Sequence, residues 1–306
     1  MQSKELQVYN DVVVFDEGQV KRTESRSFTA GSCSDVWKVD YNGSPVAIKV
    51  YRGLPYVDGV KEQFWNLLMK EVTVWSKLSH ANVVPLIGVT NDFGHLPGLV
   101  LPMYKNSNLN KYLSTHPHAN RVQLLLDVAH GLHYLHTFKT PVYHGELKAS
   151  NIMIDDDGRA LIGDIGQATL TTEMVFTRAN CCGSCRWCAP ELMIPEPDFD
   201  IYRDKSDVYS FAMLMLETFT GMLPFSYIRP DAKVIFDVIK GIRPKRPTVA
   251  EAPQLTDELW KLMTDCWDHD QLKRPSAGEV FCRLYAIHRR EQVYEIQPIH
   301  IPAARL

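Results

Sequence analysis

The spacing of apolar residues changes character once along this chain. From residue 20 to residue 50 they follow strand-like spacing, in Arg26-Ser27-Phe28, Asp35-Val36-Trp37-Lys38-Val39 and Val46-Ala47-Ile48-Lys49-Val50. Tyr41-Asn42-Gly43-Ser44 carries turn chemistry between the last two and predicts a hairpin. Phe64, Leu67, Leu68, Val72, Trp75 and Leu78 then fall at helical spacing. Short apolar strands are expected over 83–89 and 98–101. Beyond Lys105 the pattern is helical, with helices expected over 109–115, 121–137, 204–221, 233–241, 256–267 and 276–289. Pro195, Pro197, Pro244, Pro247 and Pro253 punctuate the loops between the later helices. Residues 1–22 are polar and mixed, and are expected to form a loose arm or a single helix. A strand-rich first third followed by a helix-rich remainder predicts an α+β chain of two lobes, hinged near residues 102–106.

Composition narrows the setting. A chain of 306 residues, 45% hydrophobic, can bury a large core as one big domain or two lobes. Its net charge of -3 gives no case for nucleic acid or an anionic membrane as the main partner. The apolar run Phe211 to Leu216 is broken by Glu217, far short of a membrane span. Acidic and polar residues flank Val12-Val13-Val14-Phe15, and no small-residue cleavage site follows, which speaks against a signal peptide. Seven cysteines, four of them between 181 and 188, do not resemble a secreted disulfide framework. The expectation is a soluble, intracellular, cytoplasmic protein.

The most chemically loaded stretch is His144-Gly145-Glu146-Leu147-Lys148-Ala149-Ser150-Asn151, followed by Asp164-Ile165-Gly166. It offers a carboxylate, a lysine two residues on, an amide three residues further, and a second carboxylate on a turn that ends in glycine. Such a set can supply a proton acceptor, a cation for a phosphate, and two oxygen ligands for a hard metal such as Mg²⁺. Upstream, Lys49 ends a β-branched strand and Glu71 lies on the helix that follows. Taken alone, a lysine in such a place is usually an edge cation, and Glu71 reads also as a solvated helix residue.

In order and spacing these segments resemble the protein kinase family, whose signatures include H-R-D-L-x-x-x-N, D-F-G and V-A-I-K. The resemblance covers about residues 24–289. It divides the chain into an N-terminal extension (1–23), a kinase-like domain (small lobe 24–101, hinge 102–106, large lobe 107–289) and a tail (290–306). It implies a small lobe of a five-stranded antiparallel sheet with one helix, and a mainly helical large lobe. Leu78-Ser79-His80, Arg186-Trp187 and Lys273-Arg274-Pro275 look most like the tyrosine-kinase-like group of serine/threonine kinases. The spellings Ser34-Asp35-Val36-Trp37 and His144-Gly145 look like fungal branches of that group.

The resemblance also implies roles. Lys49 matches the strand lysine that binds the α- and β-phosphates of ATP, and Glu71 the helix glutamate that orients it. Thr29 to Ser34 stands where G-x-G-x-x-G would be; of the three glycines only Gly31 remains, while Ser34 keeps a hydroxyl donor. Leu101 matches the gatekeeper, and Pro102 and Tyr104 would face the adenine edge, Pro102 through its carbonyl alone. Val36, Ala47 and Met153 would sandwich the purine, although their letters read equally as ordinary core. Lys148 would stabilise the transferring phosphoryl group, and Asn151 and Asp164 would hold Mg²⁺. Ser184, in Gly183-Ser184-Cys185-Arg186-Trp187-Cys188-Ala189-Pro190-Glu191, stands where serine/threonine kinases carry a hydroxyl residue. Asp207 matches the aspartate that bonds the catalytic-loop backbone, and Arg274 the arginine that pairs with Glu191.

Two letters of the loop depart from the family pattern. Glu146 replaces the aspartate that accepts the substrate proton; its intrinsic acidity is similar, but its extra methylene moves the carboxylate by roughly 1 Å. A displacement of that order costs about 10²-fold in rate, or roughly 2.7 kcal/mol of barrier, which makes an enzyme slow rather than inert. Gly145 replaces the arginine that reads a phosphate on the activation segment. Thr169, Thr171, Thr172 or Thr177 would therefore have less electrostatic effect as a phosphorylated switch. Ile165 replaces the D-F-G phenylalanine, a change of packing volume.

Cys181, Cys182, Cys185 and Cys188 give overlapping C-x₂-C spacings, and zinc or redox-sensitive thiols are the alternatives they raise. A tetrahedral site would need all four thiolates to converge from one extended loop. His130, His133 and His136 are expected to be surface and packing residues. Two functions follow from the resemblance. The first is an ATP- and Mg²⁺-dependent serine/threonine protein kinase acting on a protein substrate. The second is a nucleotide-binding pseudokinase that serves a signalling partner as a scaffold.

Overall fold

The computed structural model describes residues 7–9, 12–15, 18–22, 29–30, 34–51, 60–93, 96–165, 184–193 and 203–296. The expected α+β bilobal architecture is present. The hairpin forms where Asn42-Gly43 predicts it, with φ of 52° and 82° at the two turn residues and the Gly43 amide donating to Asp40 Oδ1 at 3.0 Å. It joins β5 (Ser34–Tyr41) to β6 (Ser44–Tyr51) in a register running from Tyr41↔Ser44 to Ser34↔Tyr51.

The small-lobe sheet is larger than five strands. Before the hairpin come β1 (Gln7–Tyr9), β2 (Val12–Phe15), β3 (Lys21–Arg22) and β4 (Thr29–Ala30); after it, β7 (Gly88–Thr90) and β8 (Gly98–Pro102). The order is β1-β2-β7-β8-β6-β5-β3, with β4 also on β5. The β2–β7 pair is parallel, so the sheet is mixed rather than antiparallel. Where described, residues 7–15 are thus strand and not the loose arm or helix expected. The β-branched run Val12-Val13-Val14 suits a strand paired on both sides, and Phe15 is buried beside Tyr41 with ring centroids 5.0 Å apart. Gly88 permits this addition, since a Cβ there would lie 2.4 Å from the Val13 carbonyl oxygen. Of the strand expected over 83–89, only residues 88–89 belong to one, because Pro85 cannot donate to a ladder.

Strand alternation sorts the small lobe into two faces. Val46, Ile48 and Val50 join Val39, Val100, Phe15, Val20 and Phe93 in a core on one side. The opposite face carries Ser34, Val36, Ala47, Lys49, Leu99 and Leu101, paired across the ladders as Val36↔Lys49, Ala47↔Leu101 and Lys49↔Leu99. That face looks toward the larger core, which combines α1 (Val60–Trp75) with the large lobe.

The large lobe is built from α2 (Leu109–Thr115), α3 (Arg121–Thr137), the hairpin β9 (Ile152–Ile154) and β10 (Ala160–Ile162), α4 (Arg203–Thr220), α5 (Asp231–Ile239), α6 (Asp257–Cys266) and α7 (Ala277–Ile296). Asn108, Asn120 and Thr256 cap α2, α3 and α6 by accepting from backbone amides three residues on. α4 is buried from Ser206 to Phe219 and forms the axis of the lobe. Its burial on all sides accounts for the continuous apolar run from Phe211 to Leu216 within a helix. None of the helices in the described residues is long and apolar enough to cross a membrane.

Candidate active site

The loop from His144 to Asn151 is held from below by α4. Asp207, fully buried, accepts from the amides of His144 (2.8 Å) and Gly145 (2.7 Å), and its Oδ2 also meets His136 Nε2 at 2.9 Å. Burial alone would push the Asp207 carboxyl up, but His136, His144 and the Gly145 amide bring it below the usual carboxylate range. His136 is therefore not a surface residue; it is a partner of the group that anchors the loop. His144 is itself buried and bonds the Gly163 carbonyl at 2.7 Å through Nε2, while its Nδ1 accepts from the Glu146 amide at 3.1 Å.

Gly145 stands at φ 74°, in the left-handed region that glycine enters without a Cβ penalty. Asp164 also adopts positive φ, 56°, which aspartate tolerates better than most side chains. Its neighbour Gly163 donates to the Asn151 carbonyl at 2.9 Å, which ties the second carboxylate to the end of the first loop.

The side chains expected to act together form two groups. In the first, Lys148 Nζ donates to Glu146 Oε1 at 2.5 Å and to Ser184 Oγ at 2.9 Å, while the Ser184 hydroxyl donates to the same Oε1. Asn151 Nδ2 donates to the Glu146 carbonyl at 2.9 Å, which fixes the amide with its oxygen facing away. Among the described residues Glu146 Oε2 accepts no hydrogen bond. Burial pushes the Glu146 carboxyl up, but Lys148, then Ser184 and His144, bring it below the ordinary range. Glu146 is an anion at neutral pH, and among the described residues its Oε2 is open to a further hydrogen bond.

In the second group, Lys49, buried on the cleft face of β6, forms an ion pair with Asp164 at 2.6 Å. Glu71, on α1, is half-buried. An ammonium and a carboxylate held together at this depth compensate each other's desolvation. Asn151 and Asp164 offer an amide and a carboxylate oxygen, a hard donor set suited to Mg²⁺ once phosphate oxygens complete the shell.

Of the residues expected to line the nucleotide, Ser34, Val36, Ala47 and Leu101 share the cleft face with Lys49. Gly31 and Gly166 lie outside the described residues, as do the four threonines from Thr169 to Thr177. Pro102 and Tyr104 are half-buried at the hinge, and burial, followed by Asp155 and Asp156, pushes the Tyr104 phenol to about 12. Met153 pairs with Asn108 across an isolated bridge. The β9–β10 turn clips the hinge: Lys105 N donates to Asp156 Oδ1 at 3.0 Å and Asn106 Nδ2 to the Asp155 carbonyl at 2.6 Å.

Sequence reasoning missed Glu217. This α4 carboxylate, 3% exposed, accepts from the Ala149 amide (3.0 Å) and Trp187 Nε1 (2.9 Å) on one oxygen, and from Asn110 Nδ2 (3.1 Å) on the other. The signal was present in a charged residue interrupting an apolar run, but its partners are remote in sequence. Glu191 and Arg274 pair as expected, with two bonds of 2.7 and 2.9 Å and a third to Glu191 from Ser206 Oγ at 2.7 Å. Cys185 and Cys188 are half-buried in a short 3₁₀ turn, and Cys181 and Cys182 lie outside the described residues. No group of three or more His, Cys, Asp or Glu side chains among the described residues is placed to hold a metal.

Residues 23–284 match the family described as protein tyrosine and serine/threonine kinase. The serine/threonine-protein kinase STY17 of Arabidopsis thaliana is 30% identical over 83% of this chain and 42% of its own length. STY46 from the same organism is 30% identical over 84% of this chain and 43% of its own. The dual specificity protein kinase shkD of Dictyostelium discoideum is 29% identical over 84% of this chain and 33% of its own. The chain thus spans less than half the length of these relatives.

Proposed function

The chain belongs to the protein tyrosine and serine/threonine kinase family, and we propose that it transfers the γ-phosphoryl group of ATP to serine or threonine hydroxyls of a protein. The observation that carries this reading is the Glu146–Lys148–Ser184 network, which engages one oxygen of Glu146 and leaves the other without a hydrogen bond among the described residues. On this reading Oε2 orients the substrate hydroxyl and takes its proton. The hydroxyl oxygen forms a bond to the γ-phosphorus while the bond to the ADP oxygen breaks. Lys148 sits beside the carboxylate, where it would offset charge on the transferred group. Lys49, on the cleft face, would take the inner phosphates and exchange part of its contact with Asp164 for them.

Mg²⁺, held by Asn151 and Asp164, would neutralise phosphate charge during transfer. The serine/threonine assignment is supported by Ser184, whose hydroxyl bonds both Lys148 and Glu146. Because phosphoryl transfer depends on placement and charge more than on covalent help, the Glu146 substitution slows the reaction rather than abolishing it.

The test is phosphotransfer from Mg²⁺-ATP to a generic protein substrate by the wild type, Glu146→Asp and Asp164→Ala. Measurable turnover is expected in the wild type, with loss in Asp164→Ala and a gain of up to about 10²-fold in Glu146→Asp. Absence of turnover in the wild type, with Mg²⁺-ATP still raising the melting temperature, would replace this reading with that of a nucleotide-binding scaffold. Absence of any nucleotide effect would remove both.

A further inference from the structure

The face of α5 and the segments flanking it departs from the rest of the chain in charge. Between Tyr227 and Arg246 stand six cationic residues against two acidic ones, in a chain whose net charge is -3. Both acids are already neutralised internally, Asp231 by Arg186 at 2.8 Å and Asp237 by Lys233. Arg229, Lys240 and Lys245 are exposed and meet no carboxylate among the described residues. Their positive charge is uncompensated among the described residues.

Two aromatic residues lie in the same patch. Tyr227 and Phe236 are each 52% exposed. Lys240 Nζ sits 4.1 Å above the Phe236 ring, and Lys245 Nζ 5.2 Å from that of Tyr227. The two pairs lie on one continuous segment: the Lys245 amide donates to the Tyr227 hydroxyl at 3.3 Å, and the Ile242 amide, between Lys240 and Lys245, donates back to the Asp237 carbonyl at 2.9 Å. An ammonium laid on a ring is held in place by the ring quadrupole while its N–H donors still point outward.

The patch is also fixed relative to the active site. Arg186 follows Ser184 in the activation segment by two residues, and its guanidinium donates to the carbonyls of Pro224 (3.0 Å), Phe225 (2.9 Å) and Ile228 (2.8 Å) and to Asp231 Oδ1 (2.9 Å). These bonds lock the segment that carries Tyr227 and the start of α5. Little conformational entropy would be lost when a ligand settles there.

We propose that this face docks an acidic segment of a protein partner, with carboxylates on Lys240 and Lys245 and an apolar side chain between Phe236 and Tyr227. The chemistry favours a polypeptide over other anions. Stacked nucleobases need open ring faces, and here lysines cover them. A membrane surface calls for apolar side chains projecting beyond the cations, whereas each of these rings carries an ammonium over it. A carboxylate-bearing chain with interspersed apolar residues matches both components, the cations and the rings beside them.

The experiment is fluorescence anisotropy of the full chain with a labelled random glutamate–phenylalanine copolymer, which carries no hydroxyl and cannot be a phosphoacceptor. Its outcome is therefore independent of whether the chain is a kinase. The variants are Lys240→Glu with Lys245→Glu, the milder Lys240→Gln with Lys245→Gln, and Lys111→Glu with Lys139→Glu as a remote pair of equal charge change. Expected is salt-sensitive binding by the wild type, weakened at least about tenfold by Lys240→Glu/Lys245→Glu, less by the glutamine pair, and little by the remote pair. Melting temperatures are expected to be unchanged, since these side chains are exposed. No binding by the wild type, or equal weakening by the remote pair, would overturn the assignment. So would equally tight, equally Lys240-dependent binding of anionic vesicles or duplex DNA.

Discussion

Glu217 offers a sharp test of how the catalytic loop is held, because two substitutions there separate charge from hydrogen bonding. Its Oε2 is the acceptor for both the Ala149 amide, directly after Lys148, and Trp187 Nε1 in the activation segment. Truncation to alanine strands two buried donors at about 1–3 kcal/mol each, offset in part by removing a buried carboxylate. The expected loss for Glu217→Ala is about 2–4 kcal/mol. Glutamine keeps one oxygen in the Oε2 position, and its NH₂ then faces Asn110, whose amide can turn to present oxygen. Glu217→Gln is therefore expected within about 1 kcal/mol of the wild type.

The pH dependence sharpens the comparison. Burial raises the Glu217 carboxyl above its ordinary value, against the lowering effects of the Ala149 amide, Asn110, Trp187 and Lys148. Between the unfolded and the raised folded pKa, the native state holds more protons than the unfolded chain, so stability falls as pH rises. Glu217→Gln removes this decline. Urea unfolding of the three proteins from acidic to neutral pH measures both effects. If glutamine costs as much as alanine at neutral pH, the negative charge rather than the acceptor geometry holds the loop, and the reasoning fails.

Arg274→Ala leaves the Glu191 carboxylate buried without its guanidinium, and should cost about 3–5 kcal/mol in urea or thermal unfolding. A loss below about 1 kcal/mol would show that solvent reaches the pair. On the acid side, Glu191 and Asp207 are held below the usual carboxylate range despite burial, the first by Arg274 and Ser206, the second by His136 and His144. Their contribution is present above their unfolded pKa values and is lost as pH falls through the folded ones, so unfolding in acid should show it, and Glu191→Gln should remove its share. Gly145→Ala, forced into φ 74°, should cost about 1–2 kcal/mol; an unchanged unfolding midpoint would mean that the loop relaxes.

What the sequence made legible was local or periodic. Asn42-Gly43 specified its hairpin, and the helix over 121–137 forms at the residues where it was expected, with Asn120 as the cap that the structure adds. The strands β9 and β10 are three residues each, too short to display a period. Residues 7–15 lacked a visible partner, since β2 pairs with β7, and that pairing depends on Gly88 having no side chain more than seventy positions away. In the site, the loop motif could be read directly, and so could the identity of Glu191 and Arg274 as a pair. The roles of His136 and Glu217 could not, because each is defined by partners brought together only by α4.

The two departures in the loop look independent as letters, and the structure makes them interact. Asp207 grips the amides of both His144 and Gly145, so the backbone before Glu146 cannot retreat to absorb an extra methylene. The added length must be taken up by the side chain, which reaches Lys148 and Ser184 through one oxygen. Gly145, at positive φ, lets the backbone turn at that pinned point without the strain an arginine would impose there. On the proposed reading, glycine in place of arginine relaxes the loop, while glutamate in place of aspartate displaces its acid. A displaced but ionised and oriented carboxylate is a condition for slow transfer, and the rate gained in Glu146→Asp measures how much of the displacement matters.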